Sequence, residues 1–334
     1  MPALLAIATC PLCGAAAGDA AAIYPPRGGI AVLRCGSCGL AFASHRAEVE
    51  VIGADYAARA DGDGAGVAAA PERPGVARRR AQLALYDRLS GGRIAQPRPG
   101  SRALDVGCNT GLLLDALREL GYATAGIERS PAYHVAEEAG HTIVRVDIEE
   151  ADDRGERYEL ITITHVLEHL VHPVAALRWI GRHLADGGLA AIEVPNFGDL
   201  ARPLWRAAYR PLELGDHVTF FERGTLRAAI DEAGLEVVAL WSAPQAATLV
   251  FPSALTAVDV GLGLVRGLRR RRSASSSGSS GLDRSERVRG SGRASGIAER
   301  AVGALARLDP LLERGFGAEC SWGANLVAIV GRGR

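Results

Sequence analysis

Four cysteines stand in two matching turns, Cys10-Pro11-Leu12-Cys13-Gly14 and Cys35-Gly36-Ser37-Cys38-Gly39, with 21 residues between Cys13 and Cys35. Each turn offers two thiolates to one ion, and the glycine lets the backbone approach closely. Two such turns complete a tetrahedral four-cysteine zinc site with no open coordination position, so its expected role is structural, or recognition of a partner or substrate. A second group of residues lies mid-chain. Asp105-Val106-Gly107-Cys108-Asn109-Thr110-Gly111 reads as the end of a buried strand, a tight glycine turn and the start of a helix. Free N–H groups at that helix start face whatever occupies the turn. Glu128 ends the next apolar run, 23 residues after Asp105, where a carboxylate can accept both hydroxyls of a ribose. Further on, His165-Val166-Leu167-Glu168-His169 brings together two imidazoles and a carboxylate, groups able to take a proton from an attacking hydroxyl.

The turn is not the G-x-G-x-x-G of a dinucleotide fold, because Asn109 stands where a middle glycine is expected. Asn tolerates left-handed backbone better than other non-glycine residues, so the departure is mild. The stretch resembles the first motif of the class I S-adenosylmethionine-dependent methyltransferases. That resemblance implies that Asp105 and the loop of Gly107, Cys108, Asn109 and Gly111 hold the methionine portion of the cofactor. It implies that Glu128 takes the ribose hydroxyls, and that Asp147 and the Ile148 backbone flank the adenine. The segment from His165 to His169 is similar to the Val-Leu-Glu-His of small-molecule methyltransferases, including ubiquinone-biosynthesis O-methyltransferases and sugar methyltransferases. There it lines the mouth where methyl donor meets acceptor. His165 is then counted on both sides, and His169 or His165, with Glu168 beside them, is the expected base. His217 resembles a histidine of the quinone methyltransferases and is a second candidate base. Some relatives bind a divalent ion here, which leaves room for one. The cysteine segment is similar to zinc ribbons prefixed to many bacterial methyltransferases.

The same residues admit other readings. His-x-x-Glu-His also matches an inverted zinc-protease motif, but such motifs need a helix, whereas His165 ends an apolar β-run. The Asn/Asp-Pro-Pro-Tyr/Phe sequence and the Pro-Cys pair used on nucleic-acid bases are absent. The expected function is methyl transfer to a small molecule: a sugar or glycan precursor, or a quinone-like or secondary-metabolite hydroxyl or carbon. Two alternatives stay open, a ribosomal RNA methyltransferase with a zinc ribbon, and a non-catalytic adaptor that binds the cofactor as a ligand.

These groups need a scaffold, and the sequence alternates strand and helix from Arg102 onward. Leu104 to Val106, Ala123 to Ile127, Thr142 to Val146, Leu160 to Thr164 and Leu189 to Val194 read as strands. Leu112 to Leu120, Pro131 to Ala139 and Pro173 to Leu184 read as the intervening helices, and Ala185-Asp186-Gly187-Gly188 as the turn before the fifth strand. Glu222 to Ala233 is a further helix, Leu235 to Trp241 a sixth strand, and Trp322 to Val330 supplies a seventh, antiparallel one. The expected fold is α/β, a Rossmann-like, seven-stranded, mostly parallel sheet behind a small N-terminal zinc ribbon, with ligands at the carboxyl ends of the strands.

The chain divides into a ribbon at 1–43, a linker and helical lead-in at 44–100, a cofactor-binding core at 101–243, a cap helix and basic segment at 244–272, a Ser/Gly/Arg linker at 273–296, and a closing helix and strand at 297–334. Val76 to Leu89 carries helical periodicity, and Tyr56 is read as a packed surface residue. Trp205, Tyr209, Phe220 and Phe221 are candidates to wall an acceptor pocket. The run from Thr248 to Val265 with its basic flank to Arg272 is read as a cap over that pocket in preference to a peripheral membrane contact. Net charge is zero, but Arg266 to Arg300 holds ten Arg against Asp283, Glu286 and Glu299, which leaves the body acidic and argues against nucleic acid as a partner. The chain is expected in the cytoplasm, with oligomeric state open.

Overall fold

The computed structural model describes residues 4–47, 75–152, 155–199, 202–203, 212, 214–242 and 323–333. Tyr56, Trp205, Tyr209, the expected cap at 248–272, the linker at 273–296 and the helix from Ile297 lie outside the described residues. The chain forms two compact units, one of Met1–Phe197, Glu213–Trp241 and Asn325–Arg334, the other of Gly198–Leu212 and Ser242–Ala324. In the second unit the Gly323 amide donates to Ser242 Oγ at 2.9 Å.

The first unit begins with the ribbon. Strand β1 (Leu4–Ala6) pairs antiparallel with β5 (His45–Ala47), and between them come β2 (Ala21–Arg27), β3 (Ile30–Arg34) and β4 (Ala41–Ala43). Gly28 and Gly29, both at positive φ, make the two-residue turn that the right-handed twist of the β2–β3 hairpin demands. Ile30, Val32, Leu40, Phe42 and Ala43 are buried, a core too small to fold a segment of this size unaided.

After helix α1 (Val76–Ser90) the strands and helices alternate: β6 (Arg102–Val106), α2 (Leu112–Leu120), β7 (Ala123–Ile127), α3 (Tyr133–Glu138), β8 (Thr142–Val144), β9 (Tyr158–Thr164), α4 (Pro173–His183) and β10 (Leu184–Pro195). There follow β11 (Thr219–Phe220), α5 (Arg223–Glu232), β12 (Leu235–Trp241) and β13 (Asn325–Arg332). The large sheet runs β12-β13-β10-β9-β6-β7-β8. β13 slots antiparallel between β10 and β12, and β10, β9, β6, β7 and β8 run parallel. This is the expected α/β, mostly parallel sheet. Its strand order reverses beside β6, the place where such sheets bind ligands.

β10 starts earlier than the apolar run suggests. Leu184 already pairs with Tyr158, and the Asp186-Gly187-Gly188 turn is a bulge inside the strand before Leu189 resumes against Leu160. A side chain at Gly188 would meet the Tyr158 carbonyl at 2.8 Å, so the bulge needs glycine there.

The ribbon strands form a second sheet of order β11-β4-β3-β2, in which β11 comes from the segment after β10. No helix among the described residues is long and apolar enough to cross a membrane.

Candidate active site and metal centre

β6 delivers Asp105 to the end of the sheet, where it is buried and accepts a 2.6 Å hydrogen bond from the Thr162 hydroxyl of neighbouring β9. Burial pushes its carboxyl up to about 7; the Thr162 bond and the Arg79 charge oppose that rise, and the Glu128 charge adds to it. The turn that follows is built as its residue types require. Gly107, Asn109 and Gly111 all have positive φ, Asn109 at 49°. The Gly107 and Cys108 amides both donate to the Ile127 carbonyl, at 2.8 and 3.2 Å, which pins the loop to β7. A side chain at Gly107 would collide with Val166, so the glycine turn lies directly against the His165–His169 segment. The Cys108 thiol is buried, and burial raises its pKa, so it packs as a neutral group.

At the end of β7, Glu128 accepts the Asn109 amide on Oε2 at 2.8 Å and the Ser130 amide on Oε1 at 2.7 Å. Asp147 follows β8, caps the 3₁₀ turn Ile148–Glu150 through the Glu149 amide at 3.1 Å, and pairs with Arg129 at 3.1 Å. Ile148 is buried. Three carboxylates thus stand at or just beyond the ends of three adjacent parallel strands. Sequence reasoning passed over the cation beside them: Arg79 on α1 acts electrostatically on both Asp105 and His165.

The end of β9 carries the second cluster. His165 has φ 53°, a left-handed conformation uncommon for a residue with a side chain, and its amide donates to the Glu193 carbonyl at 2.9 Å. Its ring lies between two carboxylates, Nδ1 3.4 Å from Glu168 Oε1 and Nε2 3.7 Å from Glu193 Oε1. Against the penalty of desolvation, Glu168 and then Glu193 raise the His165 pKa. Glu168 is 2% exposed, and neither of its oxygens accepts a hydrogen bond among the described residues. Burial alone would raise it, yet the surrounding His165, His169 and His217 hold it at about 2. The segment Leu167–His169 is a 3₁₀ turn, shorter than the helix an inverted zinc-protease motif requires.

His169 and His217 meet edge to face, ring centres 4.7 Å apart. His169 Nδ1 is 3.0 Å from the Asp216 carbonyl, which can only accept, so in the neutral ring Nδ1 carries the proton and Nε2 the lone pair. One ligand atom from each of Glu168, His169 and His217 lies within 4.8 Å of the others, a carboxylate and two imidazoles that suit a borderline divalent ion. The four expected residues His165, Glu168, His169 and His217 therefore form one cluster. Phe220 packs against Phe197 with ring centres 5.4 Å apart and lies 6.4 Å from His217, and both Phe220 and Phe221 are buried.

Glu193 escaped sequence reasoning because it sits inside the apolar run of β10. Its Oε2 accepts from the Tyr86 hydroxyl at 2.6 Å and from Gln82 at 2.8 Å, and its Oε1 from Asn325 of β13 at 2.7 Å. A lone acid within a strand otherwise read as core was the one available signal.

In the ribbon the knuckles match each other. The Gly14 amide donates to the Cys10 carbonyl at 2.9 Å and the Gly39 amide to the Cys35 carbonyl at 3.0 Å, both glycines at positive φ. Cys10 and Cys38 sulfurs are 3.5 Å apart, Cys13 and Cys35 sulfurs 3.6 Å, and all four lie within 4.8 Å of one another. Zinc–sulfur bonds of about 2.3 Å place tetrahedral ligands roughly 3.8 Å apart, so the four thiols fit one zinc ion. Against desolvation, the Cys38 and Ser37 amides bring the Cys35 thiol down to about 6.

Residues 76–240, just under half of the chain, match the sequence model of a family described as methyltransferase domain. Over 161 residues the chain is 32% identical to the ubiquinone biosynthesis O-methyltransferase of Azorhizobium caulinodans, covering 43% of this chain and 62% of that protein. It is 29% identical over 155 residues to the protein of the same name from Cereibacter sphaeroides, covering 42% and 63%. The chain thus spans less than two thirds of the length of these relatives. Among solved structures it is similar to a putative sarcosine dimethylglycine methyltransferase from Galdieria sulphuraria, at 16% identity and a TM-score of 0.47, covering 77% of this chain and 86% of that one. The stretch that follows the cysteine ribbon is thus similar to a methyltransferase domain.

Proposed function

We propose that this chain transfers a methyl group from S-adenosylmethionine to a hydroxyl of a small molecule, with one structural zinc ion in the ribbon. The observation that carries the reading is the juxtaposition of two clusters: the Gly107 turn, with its carboxylates Asp105, Glu128 and Asp147, packs against the segment bearing His165, Glu168 and His169. Similarity to proteins named ubiquinone biosynthesis O-methyltransferase supports a hydroxyl acceptor, and a quinone-like ring or a sugar precursor are both of that class. The acidic surroundings suit the cationic cofactor. Asp105 and the Gly107–Gly111 turn would hold its amino-acid portion, with Arg79 facing the carboxylate. Glu128 would hold the ribose, while Asp147 and Ile148 flank the adenine. When bound, S-adenosylmethionine supplies an electrophilic methyl group. The chain's own part is to align the acceptor, exclude water and take its proton. His169 is the preferred base, because the Asp216 carbonyl fixes its tautomer and leaves the lone pair on Nε2. His165, whose pKa Glu168 and Glu193 raise, is better suited to hold a proton than to take one.

Calorimetry with S-adenosylmethionine on purified, zinc-loaded protein tests the core claim, and no heat would sink it. A labelled-methyl assay on cell extract then separates an enzyme from an adaptor that only binds the cofactor. A divalent ion on Glu168, His169 and His217 is a second reading, favoured by the two carboxylate oxygens of Glu168 that accept no hydrogen bond among the described residues. Elemental analysis decides it: two metal equivalents falling to one in Glu168→Gln support the ion, one equivalent in both removes it.

A further inference from the structure

The ribbon sheet does not end with ribbon residues. β4 has β3 on one side and β11 on the other, with Phe42 opposite Thr219 and Ala41 opposite Phe220. β11 begins two residues after His217. The Ala43 amide donates to the Val218 carbonyl at 2.8 Å, and the Val218 amide donates to the Glu168 carbonyl at 2.8 Å. Thr219 Oγ1 reaches the Leu167 and Glu168 carbonyls at 3.5 and 3.4 Å. A two-residue strand has no stability of its own, so its position is set by these neighbours.

A second tie starts at Arg34, next to Cys35. Its Nη1 donates to the Gly39 carbonyl in the second knuckle at 2.8 Å, and its Nη2 pairs with Glu222, the N-cap of α5, at 2.7 Å. The same guanidinium lies 6.0 Å from the centre of the Phe197 ring, against which Phe220 packs. The ribbon is too small to hold these strands by its own core and depends on its ion for order. Glu168 is buried with ligand atoms of His169 and His217 within 4.8 Å of its carboxylate, so it tolerates little displacement of His217, because a buried carboxylate without its partners is costly. Asp105 lies in β6, Glu128 directly follows β7 and Asp147 follows β8, and among the described residues no ribbon strand pairs with those strands.

We propose that the four-cysteine ribbon is a positioning element of the acceptor side: the metal-bound knuckles, through β4 and Arg34, hold β11 and with it His217 and Glu168 in register. This rests on reading the four cysteines as a zinc site and the histidine cluster as the acceptor side. The test uses the isotope-labelled full chain in four forms: zinc-loaded, stripped of metal by a mercurial and chelator, Arg34→Gln loaded, and Ala43→Pro loaded. Zinc content, amide exchange, the ring signals of His169 and His217, and calorimetry with S-adenosylmethionine are read on each. Stripping is expected to speed exchange at Val218 about 100-fold while β6, β7 and cofactor affinity change by less than about threefold. Arg34→Gln and Ala43→Pro are expected to keep one zinc ion yet shift the His217 signals, with Arg34→Lys restoring them. Protected Val218 and unchanged histidine signals in stripped protein would overturn the proposal. So would an equal loosening of β6 and β7, which makes the ribbon a general stabiliser. A chain that takes up no zinc overturns the metal reading and this proposal with it, whereas failure of cofactor binding in loaded protein falls on the methyltransferase reading alone.

Discussion

Glu128 accepts the amide hydrogen of Asn109 at 2.8 Å, and Asn109 has the left-handed backbone, φ 49°, that turns this amide toward the carboxylate. The acid that the resemblance assigns to the ribose therefore also clamps the Gly107–Gly111 turn. Glu128→Ala leaves the Asn109 and Ser130 amides without their acceptor, and each bond to a charged group is worth roughly 1.5–3 kcal/mol. The variant should lose several degrees in melting temperature and bind S-adenosylmethionine at least tenfold more weakly. Asn109→Gly should be nearly neutral in both measurements, and Asn109→Val should cost about 1–2 kcal/mol.

Asp105 should make stability fall as pH rises. Burial raises its folded value from 3.8 to about 7, so the folded state holds a proton that the unfolded state has released. The contribution is complete below pH 3.8 and is lost progressively up to about 7, on the order of 4 kcal/mol in all. Asp105→Asn should therefore melt higher than the parent at pH 8, with the advantage fading toward pH 4, while binding cofactor more weakly. Melting curves across that range check the sign.

Glu168 acts in the opposite sense. Its folded value is lowered to about 2 by the surrounding imidazoles, so its stabilisation is present above the ordinary carboxylate range and disappears as pH falls from about 4.5 toward 2. Glu168→Gln should flatten acid unfolding in that window. At neutral pH it should also lower the His165 titration, which nuclear magnetic resonance of the ring reads directly.

Gly126 and Cys108 are matched in size. A methyl at Gly126 would lie 2.5 Å from Cys108 Sγ, so Gly126→Ala should cost roughly 1–3 kcal/mol. Adding Cys108→Ala should return part of that loss, since Ile143 Cδ1 at 2.9 Å and the Cβ of residue 108 at 3.1 Å stay in place, and a double-mutant cycle by denaturant unfolding measures the coupling.

The parts of the site that were legible in the sequence are those fixed by local chemistry. The knuckles, the glycine turn and the strand ends bearing Asp105, Glu128 and His165 depend on neighbours within a few residues, and periodicity alone placed α2, β7 and β12 at the residues where they occur. What escaped was set by partners far along the chain. Glu193 takes its meaning from Tyr86, Gln82 and Asn325, which come from α1 and β13. β11 is two residues long, and nothing in Thr219-Phe220 announces a strand until β4 lies beside it. The early start of β10 likewise follows from pairing Leu184 with Tyr158 across a glycine bulge, which apolar runs do not register.

β13 lies between β10 and β12 although it follows β12 by a long interval in the chain. Synthesis delivers β10 and β12 first, and each must wait with an open backbone edge until Asn325–Arg332 leaves the ribosome. During that interval the edges of β10 and β12 that β13 will cover stay open to solvent and to other chains, the situation that favours mispairing. Asn325 arrives in the same step to complete the hydrogen bonds of Glu193, so the carboxylate beside His165 acquires its last partner only when the sheet closes.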